Sequence, residues 1–161
     1  MEIKTLKSQC KKELTERIIP FWNNLKDDEH GGFYGGVDFE LEVDKQADKG
    51  LVLMSRILWF YSSCYSALGD AEYEGREKYE QYEECLANAR HAYNFIKDNC
   101  FDPVNGGVYW MVTYDGNVAD DRKYTYCQAF TIYALCAYYK AAGDNNALKL
   151  ALELFAVIES K

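Results

Sequence analysis

Histidine is scarce in this chain: only His30 and His91 occur among 161 residues. Neither lies near a cysteine in a metal-ligand spacing, and neither has a partner that suggests a catalytic triad. Positive charge is short as well, with 18 Lys and Arg against 26 Asp and Glu and a net charge of −8. Nucleic acid and anionic membrane surfaces both select basic patches, so neither is expected as a partner. No apolar run approaches the ~20 residues that a membrane span needs. The opening Met1-Glu2-Ile3-Lys4 is amphipathic at once and lacks the apolar stretch of a signal peptide. None of the six cysteines (Cys10, Cys64, Cys85, Cys100, Cys127, Cys136) forms a CxxC pair, and there is no Asn-x-Ser/Thr acceptor. They read as small buried hydrophobes in a reducing compartment, and a cytoplasmic protein is expected. The double glycines lack the GxGxxG or GxxxxGK[ST] context, which excludes a phosphate loop.

What is present is a repeat. Gly31-Gly32-Phe33-Tyr34 recurs as Gly106-Gly107-Val108-Tyr109, and Ala67-Leu68-Gly69-Asp70 as Ala141-Ala142-Gly143-Asp144. Between them Lys49 aligns on Lys123, Trp59 on Tyr133 and Tyr65 on Tyr139 without a gap. A unit of this length is one supersecondary element that cannot bury its apolar face alone, so it implies an array of helical hairpins.

Apolar periodicity places five helices. The first spans about 3–22, with Ile3, Leu6, Cys10, Leu14, Ile18 and Phe21 on one face. The second, about 50–68, is apolar all round, and a helix of that kind is buried on every side. A charged loop over 69–78 leads to a one-sided third helix, about 79–98, carrying Tyr82, Leu86, Ala89, Tyr93 and Ile96. The fourth, about 124–142, is again apolar all round. The fifth carries Leu148, Ala151, Leu152, Phe155 and Ile158 on one face. Segments 33–43 and 108–114 read as short β-hairpins, the second turning at Asp115-Gly116. Alternating one-sided and all-round helices describe an α/α toroid of outer and inner helices. A hairpin precedes each inner helix, so the ligand mouth is expected where the inner helices begin.

Arg56 lies two turns into the all-apolar second helix. Buried charge is rare unless paired or functional. A guanidinium there would bind a sugar hydroxyl, stabilise an oxyanion, or brace two helices against a carboxylate. Tyr126 aligns with Val52, one turn before Arg56, and Gln128 follows; both are candidates for the mouth, with a core tyrosine the plainer reading of Tyr126. Phe33-Tyr34 and Tyr109-Trp110 suit either stacking on the C–H face of a sugar or ordinary hairpin packing. The carboxylates at 27–29 and 120–121 have the composition of a glycosidase pair. They sit where Asp commonly caps turns and helices, and capping is the stronger reading.

In order, the chain shows Phe21-Trp22, Gly31-Gly32-Phe33-Tyr34-Gly35, Asp48-Lys49-Gly50, Ser55-Arg56-Ile57-Leu58-Trp59-Phe60, Gly106-Gly107-Val108-Tyr109-Trp110-Met111, Asp115-Gly116 and Lys123-Tyr124-Thr125-Tyr126-Cys127-Gln128-Ala129-Phe130. This series resembles the cellobiose 2-epimerase branch of the N-acylglucosamine 2-epimerase superfamily, nearly end to end. The resemblance implies an all-α fold, an (α/α)6 barrel with short β-hairpins, of which residues 1–161 form the N-terminal part of one domain with about five helices. It implies reversible C2 epimerisation of the reducing-end glucose of a disaccharide, without metal or cofactor. One histidine removes the C2 proton, a cis-enediolate forms, and a second histidine returns the proton to the other face. Arg56 matches the arginine that steadies the enediolate oxygens, Tyr126 a tyrosine that contacts substrate, and Trp110 a pocket-wall residue.

The departure is equally plain. The family's acid–base histidines lie in later hairpins, and His30 and His91 match neither. The chain is therefore expected to be an N-terminal portion, inactive by itself and self-associating through uncovered inner helices, while the full-length protein is expected to be a monomer. An N-acylglucosamine 2-epimerase, an aldose–ketose isomerase, a toroidal glycoside hydrolase and a non-catalytic helical-repeat fragment remain the alternatives.

Overall fold

The computed structural model describes residues 3–69 and 80–160. Of the loop expected over 69–78, Gly69 instead ends the second long helix; residues 70–78, and the Tyr79 with which the third helix was expected to start, lie outside the described residues. Helix α1 (Ile3–Glu13) runs through a π-helical turn (Leu14–Ile18) into α2 (Ile19–Asn23). The π turn lies just ahead of Pro20, which has no N–H for the helical ladder. One extra residue in that turn rotates the faces of the helix. The apolar stripe expected to be buried is therefore displaced. Ile3, Leu6 and Cys10 are exposed, while Thr15, Ile19 and Leu25 are buried.

Strands β1 (Gly36–Val37) and β2 (Val43–Asp44) form the first hairpin, antiparallel, with Val37 opposite Val43. Strand β3 (Lys49–Gly50) leads directly into α3 (Leu51–Gly69). Helix α4 (Glu80–Asn99) follows, then β4 (Met111–Val112), β5 (Val118–Asp120), α5 (Thr125–Ala142) and α6 (Asn145–Glu159). Helix α5 ends on Gly143 in the left-handed region at φ 70°, whose N–H donates to the Tyr139 carbonyl. Asp144 then caps α6 by accepting from the Asn146 N–H at 2.8 Å.

A hairpin precedes each inner helix, as the sequence indicates. The pairing between copies was not foreseen. Strand β3 of the first copy joins β4 and β5 of the second in one antiparallel sheet, with Lys49 opposite Val112 and Gly50 opposite Met111. The Trp110 carbonyl accepts from the N–H of Leu51, the first residue of α3, at 3.1 Å. The two repeats are thus stitched together where their inner helices begin.

Helix α3 packs on both α4 and α5, and α5 packs on α3 and α6. Met54, Leu58, Tyr61, Cys85, Ala89, Ile96, Ala134, Leu135 and Leu154 fill the space between them. A hydroxyl pair crosses the α3–α5 contact. Thr131 Oγ1 donates to the Cys127 carbonyl, so its one proton is used and Ser55 Oγ donates to it at 3.1 Å. Asn23 Oδ1 accepts from both Tyr61 and Asn88, tying α2 to α3 and α4. On α6 the buried face is Ala147, Ala151 and Leu154; Leu152 and Phe155, expected in the same stripe, are exposed.

Helix α3 has the length and mean hydropathy that a membrane span requires, 19 residues at 1.2, in contrast to the reading of the sequence. Half of its apolar window is buried inside this fold, and Arg56 stands in its second turn.

Each copy also carries the same ion-paired loop. Asp27 Oδ1 accepts the N–H groups of Glu29 and His30, and Asp102 Oδ1 those of Val104 and Asn105. Lys49 Nζ reaches Asp27 Oδ2 at 2.6 Å, and Lys123 Nζ reaches Asp102 Oδ2 at the same distance. The first pair is sealed in the core, with Lys49 at 0% and Asp27 at 2% exposure. Burial pushes the Asp27 carboxyl up, but the Lys49 ammonium and the two backbone N–H groups outweigh it and hold it below the usual carboxylate value. At Asp102 the Lys123 hydrogen bond leads, helped by the backbone N–H groups of Asn105 and Val104, and the carboxyl is held far below its ordinary range. The double glycines close these loops in the left-handed region, Gly31 and Gly32 at φ 81° and 68°, Gly106 and Gly107 at 71° and 79°.

Candidate functional site

Arg56 is exposed, which corrects the expectation of a buried guanidinium. Helices α3 and α5 are apolar all round, yet one face of each stays open. On α5 that face carries Tyr126, Phe130 and Tyr133, at 50%, 38% and 54% exposure. On α3 it carries Val52, Arg56 and Trp59, with Val52 partly buried. These are repeat-equivalent positions, since Val52 aligns with Tyr126, Arg56 with Phe130 and Trp59 with Tyr133. Their i, i+4, i+7 spacing puts each trio on one side of its helix.

Trp59 and Tyr133 stack across the two helices, with ring centroids 5.6 Å apart and planes at 25°. Arg56 lies beside that stack and lines two clefts. One, of about 450 Å³, is bounded by Trp22, Val52, Leu53, Ile57 and Phe60. The other, of about 280 Å³, is bounded by Ser55, Trp59, Phe130 and Tyr133. Further along, Ser63, Ser66 and Lys140 add polar groups to a cleft of about 520 Å³ that shares Trp59 and Tyr133. Apolar ring faces with a few hydroxyls and a single guanidinium suit a neutral polyol better than an apolar or strongly charged ligand.

Tyr126 is half-exposed rather than a core tyrosine. Its ring meets Trp110 edge to face at 5.7 Å, and Trp110 meets Tyr124 the same way at 5.0 Å. Trp110 and Tyr126 therefore form one cluster at the start of α5, and Arg56 belongs to the neighbouring clefts. Gln128 is not in the mouth; it is buried and bonds both backbone groups of Val108. Phe33 is wholly buried and stacks on Tyr61, so it has no face for a ligand.

The histidines have structural partners. His91 Nε2 lies 3.0 Å from the Asp27 carbonyl and 2.9 Å from that of Gly32. Two acceptors at one nitrogen require that nitrogen to carry the proton. The His30 ring lies against that of Tyr114, tilted by 32° with centroids 5.1 Å apart. Of the glycosidase-like carboxylates, Asp27 is committed to Lys49 and its own loop, Asp28 to Lys26 and Asp120 to the Arg122 guanidinium. Four of the six cysteines, Cys64, Cys85, Cys100 and Cys127, are buried, while Cys10 is exposed and Cys136 half-buried; burial pushes the Cys127 thiol up to about 11 and raises Cys100 further. No cluster of three or more His, Cys, Asp or Glu fit to hold a metal occurs among the described residues.

Sequence reading missed Trp59, Phe130 and Tyr133. The 74-residue alignment contains the signal that finds them: equivalent positions on two inner helices, one turn apart, bear large aromatic or cationic side chains.

Paired inner helices, outer helices alternating with them, and hairpins gathered where the inner helices start define a segment of an α/α toroid with an aromatic-lined inner face. The family model for N-acylglucosamine 2-epimerase (GlcNAc 2-epimerase) matches residues 31–161, and the chain belongs to that family. It is 55% identical over 152 residues to the cellobiose 2-epimerase of Ruminococcus albus, covering 94% of this chain and 36% of that protein. A crystal structure of a sugar epimerase from a ruminal bacterium superposes with a TM-score of 0.85 at 54% identity, covering 95% of this chain and 36% of that one. The structure of cellobiose 2-epimerase from Bacillus thermoamylovorans gives a TM-score of 0.88 at 42% identity, covering 98% and 37%. The fold is thus part of an (α/α)6 barrel. The chain spans about a third of the length of the relatives it matches.

Proposed function

We propose that residues 1–161 are the N-terminal part of a single (α/α)6-barrel domain of a carbohydrate epimerase. The activity is reversible inversion at C2 of the reducing-end glucose of a β-1,4-linked disaccharide such as cellobiose. Carrying this reading is the aromatic face with one guanidinium at its centre: Arg56 between two clefts, beside the Trp59–Tyr133 stack.

The chemistry asks little of this chain beyond binding and charge. Ring opening exposes the C1 aldehyde, which acidifies the C2 proton. Loss of that proton to a base gives a cis-enediolate, with negative charge on the oxygens at C1 and C2. Return of a proton to the opposite face yields the mannose epimer, and no electrons are exchanged with a cofactor. Arg56 presents a planar, permanently charged donor fork that suits two adjacent oxygens. Its contribution grows as charge develops, which lowers the barrier rather than merely tightening binding. Tyr126 contacts the sugar, and Trp110 forms the pocket wall beside it. Neither histidine of this chain is assigned as acid or base, because His91 is committed to loop carbonyls and His30 lies against Tyr114 of the second hairpin. A full-length protein that is a monomer in the cytoplasm, with no nucleic-acid or membrane partner, completes the reading.

The test follows cellobiose by NMR in heavy water, using the protein from the complete reading frame that carries this chain. Exchange at C2 with appearance of the mannose-terminated product is expected, and R56A should lower kcat by about 10²–10³. Absence of C2 exchange in the unmodified protein would remove the proposal.

A further inference from the structure

We propose that Gln128 is a positioning residue that sets the Trp110 ring for sugar recognition; this rests on the carbohydrate reading above. Gln128 is 3% exposed, and Val108, its partner, is wholly buried. Its Oε1 accepts the Val108 N–H at 2.7 Å, and its Nε2 donates to the Val108 carbonyl at 2.8 Å. Both backbone groups of a residue closed to water are thus satisfied by one side chain.

The next two residues are held just as fully, each by a different element. The Tyr109 N–H donates to the Cys100 carbonyl at the end of α4, and the Cys127 thiol points at the Tyr109 carbonyl. The Trp110 N–H donates to Asp120 on β5, and its carbonyl accepts from Leu51 at the start of α3. Only the Trp110 ring is left to meet a ligand, and its perpendicular contacts with Tyr124 and Tyr126 fix its tilt. Gln128 is the one clamp on this strand that comes from a side chain of α5 with both a donor and an acceptor.

The first copy of the repeat acts as an internal control. It has the same ion-paired loop and the same double glycine, so those features serve the scaffold. Where the second copy has Gln128, the first has Met54, which has no amide to offer. Where the second has Trp110, the first has Gly35, and a Cβ there would collide with the Asp48 carbonyl oxygen. Clamp and tryptophan therefore occur together in one copy and are absent together from the other. A purely scaffolding glutamine would have no reason to follow the ring.

The protein from the complete reading frame that carries this chain is labelled with 5-fluorotryptophan, and W22F, W59F and W110F assign the ¹⁹F signals of Trp22, Trp59 and Trp110. Cellobiose should shift the Trp110 signal of the unmodified complete-frame protein. Q128M, which installs the residue of the first copy, should displace the Trp110 signal while leaving Trp22 and Trp59 in place. It should weaken the cellobiose response by about tenfold to a hundredfold, the loss expected for a misplacement of ~1 Å. Q128E supplies a second arm should Q128M fold poorly. Its carboxylate keeps the acceptor for Val108 N–H but sets a lone pair against the Val108 carbonyl. Burial raises its pKa, and protonation on acidification restores the donor, so the Trp110 signal should return towards its original place as pH falls. A Trp110 signal unmoved in Q128M with the cellobiose response intact, or one in Q128E that ignores pH, overturns the proposal. A Trp110 signal of the unmodified complete-frame protein that ignores cellobiose sinks the carbohydrate reading itself; displacement of the same signal by Q128M then distinguishes that failure from failure of the clamp.

Discussion

Replacing Lys49 with Met should destabilise this fold more than any other single change to a charged residue described above. Lys49 is wholly enclosed; its ammonium donates to Asp27 Oδ2 at 2.6 Å and to the Gly31 carbonyl at 2.8 Å, and sits 4.7 Å from the centre of the Phe95 ring. Met fits the apolar stem but removes all three interactions. The Asp27 carboxylate is then left buried with only the N–H groups of Glu29 and His30. Breaking a buried pair in this way costs about 3–5 kcal/mol, a large share of the roughly 5–15 kcal/mol that holds a domain. At about 2–4 °C per kcal/mol for a chain of this size, Tm should fall by roughly 6–20 °C, read by far-UV circular dichroism. K123M is the matched control. Its pair lies at the edge of the core, with the Lys123 side chain at 17% exposure, so solvent compensates part of the loss and Tm should fall less. The double variant D27N/K49M should recover stability relative to K49M, because no uncompensated charge remains. A K49M chain within about 1 kcal/mol of the unmodified protein, or a K123M chain that falls further, would refute the reasoning.

Acid should weaken the fold through the same carboxylates. Asp27 is held below its ordinary value in the folded state, so its contribution is fully present above the unfolded carboxyl pKa near 4 and is lost as pH falls through the lower folded value; a pH titration of Tm should show this, with the acid limb shallower in D27N. G32A should cost about 1–3 kcal/mol in a urea titration, because φ is +68° and the new Cβ would lie 2.8 Å from Phe95 Cγ. S55A should cost about 1 kcal/mol by removing the donor to Thr131 between α3 and α5, with no change in helix content. D144A should lose about 1 kcal/mol and raise amide exchange in the first turn of α6, because the Asn146 N–H loses its cap.

Much of the fold was legible because its signals are local. Helix positions follow from apolar spacing, and the loop before each hairpin follows from paired glycines that only a left-handed backbone requires. The capping reading of the carboxylates was also legible: Asp27 Oδ1 accepts the N–H groups of Glu29 and His30, and Asp120 Oδ1 that of Arg122. Arg56 was noticed for being charged among apolar residues, but the inference drawn from that, burial, was wrong. The open face of an inner helix looks the same in sequence as its packed faces, since aromatic rings serve both.

By itself, the sequence determined the repeat, the helical hairpins, the order of inner and outer helices and the family resemblance, all of which rest on spacing along the chain. Only the tertiary structure decided which side of each helix meets another. It turned α1 through a π turn, opened Arg56 to the clefts, and drew Gln128 away from the mouth to clamp Val108. It also joined β3 to β4, a pairing between residues more than 60 positions apart. The physical reason is that periodicity fixes the angle of a side chain about its own helix axis, whereas burial depends on what lies across from it.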